Sequence, residues 1–161
     1  MLDKIVTDVL VIGSGAAGLC AAIAARQENV ETLVVSISPP GAGNTTAVAG
    51  GLLNAAVGDD DSPELHLEDT LRAGLLLNDP RRVAAFVEAI PRLLAELEKY
   101  GVGFARRDAD YVLTRSGGHT RSRTLLFQPR IGTTLSRPLT TRARLLGVKA
   151  LPNFNVVRLL V

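Results

Sequence analysis

Two short β-branched runs open the chain, at residues 5–12 (Ile-Val-Thr-Asp-Val-Leu-Val-Ile) and 31–37 (Glu-Thr-Leu-Val-Val-Ser-Ile), the pattern of strands inside a covered sheet. Between them Ala16 to Glu28 is alanine-rich, with Leu19 and Ile23 four positions apart, so a helix is predicted there. A strand, a helix and a strand in that order predict a parallel pair joined by a right-handed crossover. Pro39-Pro40-Gly41 then breaks the pattern, and residues 42–56 are dominated by small side chains that let a flat, bulky ligand lie against backbone.

Helical periodicity takes over further on. Gly58-Asp59-Asp60-Asp61-Ser62-Pro63 reads as a solvated turn in which Asp61 or Ser62 caps a helix running from Pro63 to about Leu76. Asp79 and Pro80 start a second, whose apolar positions Val83, Phe86, Val87, Ile90, Leu93, Leu94 and Leu97 form one stripe. Pro91 is expected to kink or divide this helix, and Gly101 to end it. A strand or hairpin is expected over 102–113 around Asp108-Ala109-Asp110, a helix from Thr133 or Thr134 to Leu146, and a last strand at Asn155 to Val161. The whole reads as α/β, a single domain over residues 1–161 with a helical excursion at about 63–101.

The first candidate chemistry lies where strand meets helix. Gly13-Ser14-Gly15-Ala16-Ala17-Gly18 is a GxGxxG run placed directly after an apolar strand and opening a helix, the context that gives this spacing meaning. Gly13 allows the tight turn, Gly15 the approach of a pyrophosphate, and Gly18 close helix–sheet packing. The diphosphate would meet the positive end of the helix dipole without any basic side chain. Nicotinamide-binding folds end the second strand in a carboxylate that holds the ribose, whereas this chain has Ser36, so attention turns from NAD to another nucleotide.

Composition narrows the class. With 161 residues and 47% hydrophobic side chains the chain can bury one sizeable core, and no apolar run reaches the length of a spanning helix. Without a charged and apolar leader, a cytoplasmic location is expected. Cys20 is the single cysteine, which excludes an internal disulfide and a cysteine metal cluster, and no spaced ligand set for a metal follows elsewhere. Charge is unevenly spread: residues 1–110 hold 9 basic and 16 acidic groups, while residues 111–161 hold 9 basic and none acidic. Such a half suits an anionic substrate, an acidic partner or a solvated face; with aromatics at 4%, stacking on bases is poorly provided for and no nucleic-acid partner is expected.

Residues 5–126 resemble a known family, the flavoprotein subunits of succinate dehydrogenase and fumarate reductase together with L-aspartate oxidase. The likeness rests on the fingerprint, on Ser36 and on Gly43-Asn44-Thr45-Thr46-Ala47-Val48-Ala49-Gly50-Gly51-Leu52. It continues through Leu67-Glu68-Asp69-Thr70-Leu71-Arg72-Ala73-Gly74, Glu96-Leu97-Glu98-Lys99-Tyr100-Gly101-Val102 and Leu113-Thr114-Arg115-Ser116-Gly117-Gly118-His119-Thr120, in family order. The resemblance implies a Rossmann-type FAD-binding domain. FAD would be held by Gly13, Ser14, Gly15, Ala16, Ala17, Gly18, Ser36 and Ile37 at the adenosine diphosphate and by Asn44, Thr45, Thr46, Ala49, Gly50 and Gly51 along the isoalloxazine. Respiratory members carry at the position of Asn44 a histidine that bonds covalently to the flavin; an amide cannot, so the resemblance implies noncovalent FAD.

It further implies hydride transfer between flavin and a dicarboxylate in the complete enzyme, with His119 and Arg121 as candidate substrate contacts. Partner subunits would place such an enzyme at the inner face of a membrane. Two departures stand out: where the family has a His-Ala-x-Asp-x-Thr-Gly pattern this chain reads Leu126-Phe127-Gln128-Pro129-Arg130-Ile131-Gly132-Thr133, and the capping half that carries catalytic groups in the family is not expected within these 161 residues, so no catalytic residue is assigned. Three readings stay open: a dicarboxylate oxidoreductase, a flavin or nucleotide module completed by another chain, and a fragment without catalysis. His119 either meets a ligand or braces its loop; His66 reads as packing or surface, and Arg115, Arg121 and Arg123 as carboxylate ligands, solvated side chains or partners of the acidic half.

Overall fold

The computed structural model describes residues 4–49, 53–127 and 131–160, the side chain of Ile131 excepted. Its contacts divide into two compact units, one of residues 1–49 and 132–161, the other of residues 50–131.

In the first unit β1 (Val9–Ile12), α1 (Ala16–Gln27) and β2 (Thr32–Val35) form the expected β-α-β start, and the two strands pair in parallel with Val9 opposite Thr32 and Ile12 opposite Val35. α1 packs on both strands, burying Leu19, Ala22 and Ile23, and Ala22 joins Val11 and Val34 in a small core with Val9 and Val148 beside it. Register places Leu10 and Ile12 with Leu33 and Val35 on the opposite face, and there the edge strand leaves Leu10 and Ile12 about half exposed, at 47% and 51%.

The second unit holds α2 (Pro63–Ala73) and α3 (Pro80–Lys99), packed on each other. Ser62 caps α2 by accepting a bond from the Leu65 N–H, and Asp79 caps α3 by accepting from the Arg81 N–H. α3 runs unbroken through Pro91, which corrects the expectation of a division. Its stripe is why: Val87 and Ile90 before the proline and Leu94 and Leu97 after it are all buried on one face, and that packing outweighs one missing backbone bond. β3 (Leu53–Asn54) follows the small-residue stretch in sequence, and Arg106–Arg107 (β4) pairs with Asp110–Tyr111 (β5) as the expected hairpin, with Asp108 at φ 54°. Leu113–Thr114 (β6) and Thr124–Leu125 (β7) complete a small antiparallel sheet in the order β3-β7-β6, absent from the sequence reading because each strand is only two residues long. Ala55, Ile90, Leu94 and Leu125 form its core, edged by Leu53, Val57, Phe104, Tyr111 and Leu113.

The chain then returns to the first unit through α4 (Ile131–Leu145), which starts two or three residues earlier than expected. The last strand is misplaced in the sequence reading: β8 is Lys149–Leu151, parallel to β2 with Leu33 opposite Lys149, while residues 152–160 belong to no strand. Pro152 and the left-handed Asn153 (φ 66°) stop β8, so the aliphatic run after Asn155 lies past the point where the sheet can use it.

Leu94 has no exposed surface in the core of the second unit. Leu94→Ala is expected to cost about 2–5 kcal/mol by leaving a cavity there, read as a lower urea midpoint with unchanged slope.

Candidate functional site

The glycine fingerprint forms a turn whose shape depends on its missing side chains. Gly13 sits at φ +101°, in backbone that L side chains rarely adopt, and no heavy atom lies within 4 Å of where its Cβ would be. A Cβ on Gly18 would lie 2.0 Å from the Gly13 carbonyl oxygen, so only glycine lets α1 come this close to the turn. The N-cap of α1, Gly15, offers no side chain, and the helix has no acidic residue in its first turn, so no carboxylate opposes the positive end of its dipole.

The segment 44–49 meets this turn. The Thr46 hydroxyl accepts a bond from the Ala16 N–H (3.0 Å), and the Asn44 amide donates to the carbonyls of Ser14 (3.3 Å) and Ala42 (3.1 Å) while its oxygen accepts from the Ala47 N–H (3.0 Å). Residues thirty positions apart thus share one cradle. Ser14 Oγ is buried and has no partner among the described residues, an orphan that a bound oxygen would satisfy. Ser36 is buried and donates to the Ser38 carbonyl (2.7 Å), so its hydroxyl is engaged within the loop, and Ile37 is exposed. Ala17 and Thr45 are exposed and Ala49 half-buried; Gly50 and Gly51 lie outside the described residues, as does the 128–130 part of the altered segment. An open left-handed glycine, a helix start without a carboxylate and an orphaned hydroxyl fit a dinucleotide diphosphate.

A second polar cluster lies within residues 54–124 and centres on Arg123. This guanidinium has no exposed surface; Nε and Nη2 donate to the two oxygens of Asp61 (2.9 and 2.8 Å), and Nη2 also lies 3.2 Å from Asp69 Oδ2. The Asp59-Asp60-Asp61 run is expected from the sequence to be a solvated turn, yet the Asp61 side chain is fully buried because it and Asp69 together neutralise a cation that has left water. Asp69 Oδ2 also accepts from both the N–H (2.7 Å) and the hydroxyl (2.8 Å) of Thr120. Burial works against its charge, but those two bonds and the neighbouring Arg123 and Arg72 hold its carboxyl below the usual range.

This clamp fixes the turn that carries His119. The half-buried His119 ring meets His66 edge-on, with centroids 5.7 Å apart, and His66 in turn meets Phe86 at 6.2 Å. His66 is packing rather than surface, at 2% exposure. Burial first, then the charge of Arg123, pushes His66 down to about 4 and lowers His119 in the same direction, so both rings are neutral at pH 7. His119 Nε2 lies 3.1 Å from the Asn54 amide nitrogen, and Nδ1 of each ring is buried without a partner among the described residues. Arg121 is exposed and donates to the Asp60 carbonyl (2.9 Å), so the structure brings His119 but not Arg121 into the cluster. Asn54, Asp61, Asp69 and Thr124 are not among the site residues expected from the sequence; the spacing of His66 and Asp69, one turn apart on α2, is the one local signal that joined any of the cluster.

These features define a nucleotide-binding α/β protein. Residues 8–161 match the family model of the FAD binding domain, and the chain belongs to that family. It is 40% identical over 129 residues to a subunit of the fumarate reductase (CoM/CoB) of Methanothermobacter marburgensis, covering 78% of this chain and 24% of that one. Against L-aspartate oxidase of Streptomyces coelicolor the identity is 37% over 158 residues, 97% of this chain and 27% of the relative. Among solved structures, the Mycobacterium smegmatis Sdh1 complex with UQ1 superposes with a TM-score of 0.86 at 32% identity, covering 94% of this chain and 28% of that one. The chain thus spans about a quarter of the length of the curated relatives it matches.

Arg123→Met would leave Asp61 and Asp69 buried without their cation, and a loss of about 3–5 kcal/mol is expected in chemical denaturation. Because His66 binds its proton less readily folded than unfolded, stability is complete above about pH 6.5 and falls as the pH drops towards 4. Asp69, also lowered, adds to the loss at still lower pH. The His66 part is on the order of 3 kcal/mol, and His66→Gln is expected to flatten the fall between pH 6.5 and 4 in urea midpoints measured along a pH series.

Proposed function

We propose that this chain is the FAD-binding part of a dicarboxylate oxidoreductase of the fumarate reductase and succinate dehydrogenase flavoprotein type. Its two compact units are parts of one FAD-binding domain in this reading. The observation that carries it is the cradle in which the turn of Gly13 to Gly18 meets Asn44 and Thr46, through Ser14, Gly15 and Ala16, at a helix start that holds no carboxylate. There Ser14 to Gly18 would hold the diphosphate, Ser36 and Ile37 the adenosine end, and Asn44 to Gly51 the ring. When bound, FAD supplies the two-electron carrier that exchanges hydride with a dicarboxylate. The chain's own contribution is to orient that group with backbone donors, and at His119 to offer a neutral ring to a ligand oxygen. Asn44 spends its amide on Ser14, Ala42 and Ala47, which supports noncovalent, dissociable FAD. The dicarboxylate is fumarate, succinate or, in an L-aspartate oxidase-like variant, aspartate.

A second reading is a flavin module whose catalysis depends on a capping half or a second subunit. Leu10 and Ile12 favour it, since parallel sheets are ordinarily covered on both faces and these two aliphatics are half exposed. Either assembly would work in the cytoplasm, reaching a membrane only through partner subunits; no helix among the described residues is long and apolar enough to cross one.

The test is to add FAD to the purified chain, remove the excess and record the visible spectrum before and after dithionite. A retained flavin band that bleaches on reduction, and flavin released into the supernatant on acid precipitation, are expected. Gly18→Ala is expected to lose at least ten-fold in FAD affinity, because its Cβ drives α1 from the turn. A chain that folds and retains no flavin overturns both readings.

A further inference from the structure

One hydrogen-bonded string in the second unit runs from the small sheet to His119. Asn54 on β3 and Thr124 on β7 are register partners, so their side chains stand together on one face of the sheet. Thr124 Oγ1 lies 2.7 Å from Asn54 Oδ1 and 2.9 Å from Ser116 Oγ, and the other end of the Asn54 amide lies 3.1 Å from His119 Nε2. A separation of 2.7 Å is the usual length of a hydroxyl bond to a carbonyl oxygen and short for an amide N–H donor. The amide therefore turns its oxygen to Thr124 and its NH2 group to the ring. An NH2 group only donates, so Nε2 accepts, and a neutral imidazole that accepts at Nε2 carries its proton on Nδ1. That Nδ1 is buried and finds no acceptor among the described residues.

We propose that Asn54 is a positioning residue that locks His119 in the Nδ1–H tautomer, so that this position offers a ligand's carbonyl or carboxylate oxygen a neutral hydrogen-bond donor instead of a transferable proton. The surroundings act in the same sense. The Thr120 bonds to Asp69 hold the turn, and burial of the ring, then the Arg123 guanidinium at β7's approach, disfavour a second proton against the opposite pull of Asp69 in α2 and Asp61 in the turn before it, with the His66 ring edge-on. Whether the acceptor belongs to flavin or to a dicarboxylate rests on the function proposed above; the tautomer does not.

The ring nitrogens can be read directly by long-range proton–nitrogen correlation on the 15N-labelled chain. It has two histidines, and His66→Gln assigns them. Wild-type His119 is expected to carry its proton on Nδ1 throughout pH 6–8. Asn54→Ala is expected to shift most of the population to Nε2–H, the form free imidazole side chains prefer, and Thr124→Val, which removes the hydroxyl that orients the amide, to give a mixture of the two. A wild-type proton on Nε2, or an Nδ1 population unchanged in both variants, overturns the lock. On adding FAD, and then succinate to the loaded chain, the Nδ1 proton is expected to move downfield with one of them. Retained FAD with no shift from either overturns the donor role. Failure to retain FAD counts against the proposed function alone, since the tautomer is read without it.

Discussion

A fully buried guanidinium is unstable in a protein interior unless anionic groups surround it, and Arg123 meets that condition with two carboxylates. Asp61 comes from the turn before α2 and Asp69 from within it, so one cation ties β7 to both the start and the body of that helix. Asp69 has oxygen to spare for the Thr120 backbone, and this is what holds the loop between β6 and β7 in place. His119, Asn54 and Ser116 take their positions from that loop and from the strand register. The cluster is thus a consequence of charge burial as much as of packing, and the apolar core around Leu94 and Leu125 supplies the rigid base beneath it.

The first unit obeys a different constraint, the exclusion of side-chain atoms. At the turn after β1 the closeness of α1 is set by a Cβ that Gly18 does not have, and the open side of the turn by one that Gly13 does not have. What fills the remaining space is short and polar: the Thr46 hydroxyl and the Asn44 amide reach the fingerprint from thirty residues away. These contacts show why a stretch of small residues follows the β-α-β start. Larger side chains between Ala42 and Ala49 would occupy the cradle themselves.

The two clusters place chemistry differently. The cradle relies on backbone donors and a helix dipole, which act on an anion with no titratable group. The cluster around His119 has titratable rings but suppresses their charge by burial and by the neighbouring Arg123. Both favour fixed polarity over proton exchange.

Period and punctuation made much of this legible. The β-α-β start, the caps at Ser62 and Asp79, the apolar stripe of α3 and the fingerprint are local patterns, because a strand, a helix turn and a glycine turn are each decided by residues within a few positions. The division expected at Pro91 does not occur because its local penalty is offset by packing along the helix face, and residues 155–160 form no strand because their β pattern carries no information about where β8 had already ended. The triple of Asp61, Asp69 and Arg123 was hidden for the same reason: opposite charges 62 and 54 positions apart look like solvated side chains until the fold removes water from between them. Sequence alone determined the β-α-β start, the capped helices and the glycine turn, since these depend on neighbours along the chain; only the tertiary structure decided where the short strands and β8 lie, which charges are buried and which atom of His119 is left unpaired, since pairing, burial and hydrogen-bond partners are properties of neighbours in space.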